Sequence, residues 1–363
     1  MAEARAATRG SGMTTSERAI LAGVVLATIV AGVTRYVDGV SAPLAFAVSA
    51  VALAGLAWIV SFATEQLGAR FGAPITGVLQ STLGNLPEFF VVIFALNAGQ
   101  LVVAQTALLG SILVNALLVL GLVIVAGARQ SRDGVMRFSV RLPNDTATLL
   151  LSATFIIVLI ALATLVHAPA GRHVKSISII GSALLLVVYS IWLWRYLRSD
   201  AGPPEGVARP RLGTLGAAVL LTVAGAASAF VSDWFVHALT PTIRSAHITD
   251  SFAGLVIVAI AGNAVENVAG IVLAAKGQAD LAISIVKNSV AQIAAFLFPL
   301  MVLVSLLTAT TLTFSFSPVY VGALFGTAVI VWQITSDGEA TYFEGAALVV
   351  AFVVLGAVAW YGT

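Results

Sequence analysis

Runs of about 20 apolar residues, each long enough to cross a bilayer as a helix, recur along the chain with short polar interruptions. They predict eleven spans: 19–36, 43–66, 74–96, 101–126, 145–166, 176–197, 213–236, 251–275, 280–306, 318–336 and 344–361. The expected fold class is therefore an all-α polytopic membrane protein. One stretch, RSDAGPPEGVARPRLG (198–213), concentrates Pro, Gly and charge and reads as a linker. The expected organisation is 1–42 as an N-terminal segment with the first span, 43–197 and 213–363 as two five-helix halves, and 198–212 between them. The basic start MAEARAATRGSGMTTSER is read as the flank of a retained first anchor, because no small-residue cleavage site follows closely.

Some polar residues fall inside spans rather than between them. In AIAGNAVENVAGIVLAAKGQ (259–278), Glu266 sits mid-span behind a Gly-Asn pair. A carboxylate at the centre of a membrane span costs at least ~2.5–3.5 kcal/mol on insertion scales. Residues 84–88 read GNLPE and residues 262–266 read GNAVE, an offset of 178 that also carries Gly99-Gln100 onto Gly277-Gln278 and Ser111 onto Ser289. An acidic residue, Glu65 or Asp233, ends the span before each motif. Five spans per copy is an odd number, so the second copy enters the membrane from the opposite side. Inverted repeats with a binding site at their interface are a recurrent transporter plan, and Glu88 and Glu266 are expected near the midplane. Gly84, Pro87 and Gly262 weaken helical hydrogen bonding there, freeing carbonyls that are tolerated only where they line a cavity or bind something.

The composition narrows the chemistry. The chain is 60% hydrophobic and 9% charged, with no cysteine and four histidines (His167, His173, His237, His247), all expected at helix ends or in loops. Thiolate sites are thus excluded, and soft metals find little to bind inside the membrane. The available donors are hard oxygens and amides: Glu88 and Glu266, Asn85 and Asn263, Ser111 and Ser289, Asn115 and Gln292. Such a set suits Ca²⁺ or an alkali cation. Two nearby buried carboxylates also resist ionising together without a cation, so protons bind when the metal leaves. That competition is the physical basis of antiport. Of the basic residues, thirteen fall on one side of the alternating spans and four (Arg35, Arg172, Lys175, Arg244) on the other, predicting a cytoplasmic N-terminus and an outer C-terminus. Basic loops of this kind set orientation and give no reason to expect nucleic acid.

The paired motifs GNLPEFFVVIFALNAGQ and GNAVENVAGIVLAAKGQADLA, followed by GSILVNALLVLG and NSVAQIAAFLFP and accompanied by FATEQLGARFG, resemble the calcium/proton exchangers of the cation/calcium exchanger superfamily. The likeness runs from about residue 43 to the C-terminus. It implies one extra N-terminal helix plus two inverted five-helix repeats, with Glu88 and Glu266 as central cation and proton ligands. Asn85, Asn263, Ser111, Ser289, Asn115 and Gln292 complete or flank that site, and Glu65 and Asp233 serve cation access or proton traffic. The sequence departs from the family at Asn267, where a histidine is usual, and at KNSVAQ, which puts Lys287 and Asn288 beside the site helix.

Two residues from Ser289 is about 200° around a helix, so Lys287 is expected to face away from the site and to snorkel toward the interface near Asp280. The resulting expectation is a secondary active transporter, not an enzyme. It exchanges Ca²⁺ for H⁺ by alternating access in a bacterial inner membrane, with no cofactor and with homo-oligomerisation left open. A monovalent cation/H⁺ antiporter and, behind it, a passive cation channel are the alternatives. No phosphate-binding loop, HExxH or GxSxG motif points to ATP drive or hydrolysis.

Overall fold

A computed structural model describes residues 12–68, 83–198 and 211–362. The start of the expected third span and most of the expected linker lie outside the described residues. In chain order the elements are α1 (Thr15–Tyr36), α2 (Ala42–Gly68), α3 (Leu86–Asn97), α4 (Leu101–Ala128), β1 (Val135–Arg137), α5 (Arg141–Leu165), α6 (Val174–Leu197), α7 (Thr214–Ala246), α8 (Asp250–Gly262), α9 (Ala264–Ala275), α10 (Ala279–Leu307), α11 (Pro318–Thr335), β2 (Glu339–Thr341) and α12 (Tyr342–Tyr361). Among the described residues nine helices are long and apolar enough to cross a membrane, and the bent pair α8–α9 makes a tenth candidate. The protein is an integral, all-α membrane protein. α1 and α12 start on capping boxes, Thr14 with Glu17 and Thr341 with Glu344, in which side chain and backbone satisfy each other's orphan donors.

Two compact units emerge, and neither follows the halves of the sequence. The first comprises the described residues up to Val91 and Ser190–Ser245. Here Gly55 of α2 lies against Val24 of α1, where an added Cβ would come within 2.5 Å of the valine. Phe46 stacks obliquely on Phe235 of α7 at 4.7 Å. The end of α2 also holds the chain entering α7: Gln66 Oε1 accepts the backbone N–H of Arg211 at 2.6 Å, while the Arg211 guanidinium pairs with Glu17. α7 runs ten residues past its expected end at 236, and His237 therefore lies within a helix. Pro241 deletes one helical donor, yet Val236, Ala238, Leu239 and Ile243 are all buried, so packing carries the helix through a segment that reads as polar flank.

The second unit comprises Val92–Tyr189 and the residues from Ala246 onward. Its cross-links sort the loops onto two opposite ends. At one end β1 pairs antiparallel with β2, Arg137 meets Asp133 at 2.8 Å and Glu339 at 3.2 Å, and Asp280 Oδ1 accepts the Ser139 N–H at 2.6 Å. At the other end Thr310 donates to Leu96 O at 2.8 Å, Ser178 Oγ accepts the Phe314 N–H at 3.1 Å, and Thr249 donates to Ala359 O at 2.6 Å. These are the pairings that the alternating spans require.

Candidate cation site

The repeat is visible in the backbone. The helix preceding each glutamate is interrupted at the asparagine, Asn85 in one copy and Asn263 in the other, so that Glu88 and Glu266 are both third residues of a new helix. The first bonds of those helices match, Phe89 N–H to Asn85 O at 2.9 Å and Asn267 N–H to Asn263 O at 3.0 Å. The turn that follows matches too: Gly99 has φ +75° and Gly277 φ +77°. Both positions need the left-handed conformation that glycine adopts without a Cβ penalty. Further on, π turns interrupt α4 at Val114–Val119 and α10 at Ile293–Leu297. A first-turn position suits a carboxylate, because the exposed N–H groups and the helix dipole favour negative charge there.

Within the second unit four of the expected ligands come together. Asn115 Nδ2 donates to Asn263 Oδ1 at 3.0 Å and to Ser289 Oγ at 3.3 Å, and Asn263 Nδ2 donates to Ser111 Oγ at 2.9 Å. All four residues are buried. A π turn widens the helical ladder by one residue, and just before the one in α4 Ser111 O accepts the Asn115 amide at 3.0 Å in addition to the Val114 N–H. Asn263, at the break after α8, is held by Ala259 O at 2.9 Å. What lets α8 deliver Asn263 to α4 is the absence of side chains where the two helices cross. A Cβ on Gly110 would lie 2.4 Å from Leu255 O, and one on Gly254 would lie 2.8 Å from Val103 O. Small residues at membrane helix crossings permit such backbone contact. Sequence reading passed over these two glycines as site determinants; their signal is a glycine inside an apolar span with no turn nearby.

The other expected residues are placed as follows. Gln292 is buried on α10 beside Tyr189, at the threshold of the π turn. Asn85 and Glu88 belong to the first unit and are buried, Glu88 at 4% exposure, with Ser232 of α7 donating to the adjoining Pro87 O at 3.3 Å. Glu65 is exposed at the end of α2 within electrostatic reach of Arg211 and Glu17, and Asp233 is exposed on α7. The Glu266 side chain lies outside the described residues. Lys287 does not snorkel. It is 2% exposed, and its ammonium donates to Thr335 Oγ1 on α11 at 3.1 Å, while Asp280 is engaged with Ser139 instead. Seven residues separate Lys287 from Asp280. That is about 10 Å along a helix, too far for a stem anchored in packed surroundings.

Chemically, the four-residue cluster offers hydroxyl and amide oxygens, of which Asn263 Oδ1, Ser289 Oγ and Ser111 Oγ accept amide N–H groups. A hydroxyl or amide oxygen has two acceptor lone pairs, so each of these oxygens can keep its amide N–H and still turn a lone pair toward a cation. Such neutral hard donors supply coordination, whereas charge balance must come from carboxylates.

The chain matches the model of the sodium/calcium exchanger protein family over residues 41–197 and 216–361. It is similar to the vacuolar calcium ion transporter of Schizosaccharomyces pombe, 31% identical across 85% of this chain and 77% of the relative. The Ca²⁺/H⁺ antiporter ChaA of Bacillus subtilis is 30% identical across 85% of this chain and 90% of that protein. The solved structure of native YfkE superposes with a TM-score of 0.77 at 27% identity, over 94% of this chain and 98% of that one. With the repeated helix breaks and the buried oxygen cluster, these matches place the chain in the sodium/calcium exchanger protein family.

Proposed function

We propose that this protein is a secondary active transporter that exchanges Ca²⁺ for H⁺ across a membrane by alternating access. The observation that carries the reading is the buried cluster of Ser111, Asn115, Asn263 and Ser289 beside a helix break, with Glu88 and Glu266 on equivalent first turns. In this reading the two glutamates hold the metal when ionised and protons when it leaves, and Asn85 and Gln292 flank them. Glu65 and Asp233, both exposed, serve cation access or proton traffic. Proton binding neutralises the carboxylates and favours release of the cation. The empty, doubly charged site is reluctant to reorient because a bare carboxylate inside the membrane is costly, and that reluctance couples the two fluxes.

The chain is organised as an N-terminal helix and two inverted five-helix repeats, in a bacterial inner membrane with the N-terminus cytoplasmic. In the second unit, Arg129, Arg132, Arg137 and Lys276 lie at the end where β1 and β2 pair, against Arg172 and Lys175 at the other, which supports that orientation.

The test is ⁴⁵Ca²⁺ uptake into proteoliposomes with an acid interior, nigericin to collapse the gradient, and Glu88→Gln and Glu266→Gln alongside. Gradient-driven uptake lost in both variants is expected; full coupled transport by either would overturn the assignment. The second reading, a monovalent cation/H⁺ antiporter, draws on the ammonium of Lys287 buried on the helix that carries Ser289. Gradient-driven ²²Na⁺ uptake in place of ⁴⁵Ca²⁺ would select it.

A further inference from the structure

A second polar feature lies in the first unit, lined by residues other than the candidate cation ligands. Where α1 ends, α2 begins and α7 passes, a cavity of about 220 Å³ is lined by Arg35, Asp38, Ser49, Trp234 and His237 among others. Two opposite charges share it without neutralising each other: among the described residues no ion pair joins Arg35 to Asp38. Arg35 Nε is moreover buried with no hydrogen-bond partner. A buried guanidinium nitrogen left unpaired costs more than an ordinary hydrogen bond gains, so it calls for an explanation. The guanidinium lies over the Tyr36 ring, 5.4 Å from its centroid, and Tyr36 meets Trp234 edge to face at 6.3 Å. Paired Trp and Tyr rings at a span end mark the headgroup level of a bilayer.

We propose that this cavity binds a zwitterionic phosphoethanolamine headgroup. Its phosphate would be held by the forked N–H donors of Arg35, which match phosphate oxygens, with the His237 imidazole at the same cavity. Its ammonium would be held by the Asp38 carboxylate and by the carbonyls that end α1, where the helix dipole favours a cation. One positive and one negative wall held apart suit a ligand carrying both charges a few bonds from each other, and suit a simple anion or cation less well. The apolar stripe of Leu26, Ile29 and Val33, all exposed on α1, leads to exposed Val37 at the cavity and offers acyl chains a continuous path. The source is accordingly a phospholipid rather than a soluble phosphoethanolamine.

Native mass spectrometry of the full-length protein exchanged into micelles doped with phosphatidylethanolamine, phosphatidylcholine or phosphatidylglycerol tests this. The wild type should retain one phosphatidylethanolamine in preference to the other two. Arg35→Gln and Asp38→Asn should each reduce that retention about tenfold, the scale of one charge-assisted hydrogen bond, with unchanged unfolding midpoints in lipid-free detergent showing that both variants fold. Phosphatidylcholine cannot donate a hydrogen bond to Asp38, so its weaker retention reports the ammonium half of the site. Soluble phosphoethanolamine competing at equal concentration would keep the headgroup and overturn the lipid source. Equal retention of phosphatidylglycerol, or retention indifferent to both substitutions, would overturn the site.

Discussion

Asn115 and Asn263, separated by 148 residues, face each other with Nδ2 and Oδ1 3.0 Å apart. This one bond links a π turn in α4 to the break between α8 and α9, and the two serines at its flanks come from α4 and α10. Asn115→Leu removes the donor to Asn263, to Ser289 and to Ser111 O together. Bonds of this kind between membrane helices average about 0.6 kcal/mol each, so the variant should fold with a modestly lowered midpoint. Transport should fall more steeply, by at least tenfold in ⁴⁵Ca²⁺ uptake. Wild-type uptake by Asn115→Leu would show that the cluster is structural only.

The crossing of α4 and α8 is the second pressure point. Gly110→Ala sets a Cβ against the Leu255 carbonyl, backbone that has no rotamer in which to retreat. Overpacking of this sort costs about 1–3 kcal/mol, and thermal unfolding in detergent should show it. Gly262→Ala is the control, since an added Cβ there meets nothing within 4 Å.

Lys287 and Thr335 predict an asymmetry. Thr335→Val leaves a buried ammonium without its hydroxyl partner, whereas Lys287→Met replaces it with an apolar chain of similar length. Leaving a buried charge without its hydrogen-bond partner costs more than removing the charge. Thr335→Val should therefore lower the unfolding midpoint, and Lys287→Met should leave it level or raise it. Because the Lys287 ammonium is directed at α11, Lys287→Met should also keep the preferred cation, read as ⁴⁵Ca²⁺ against ²²Na⁺ uptake.

At the end of the second unit where β1 meets β2, the Arg137 side chain and then the Val135 N–H hold the exposed Asp133 carboxyl below its usual pKa. A depressed folded-state pKa contributes stability that is present above the ordinary carboxylate value and disappears as pH falls through the lower folded one. Asp133→Asn should accordingly narrow the gap to wild type only below pH about 4. A gap that instead closes near neutral pH would assign it to another group.

Much of this could be read from the chain alone, for a definite reason. Long apolar runs must become helices in a bilayer because every backbone polar group has to be satisfied internally. Buried carboxylates are too costly to persist without a use. Their recurrence at one spacing announces a repeat, and the backbone at Asn85 and Asn263, and at Gly99 and Gly277, repeats accordingly. The motifs also marked Ser111, Asn115, Asn263 and Ser289 as candidates.

Other features depend on packing between segments far apart in sequence, which a linear pattern does not carry. Each compact unit draws on both halves of the chain. α7 continues past Pro241 because the residues beyond it are buried. Lys287 turns to Thr335, 48 residues on, rather than to the membrane surface. Gly110 and Gly254 matter because each meets another helix's backbone. The amino-acid order by itself determined which residues had to be helical and which polar groups required partners, through hydrophobicity and the cost of burial. Only the tertiary structure decided who those partners are, because a hydrogen bond is settled within 3 Å and sequence spacing does not measure distance between helices.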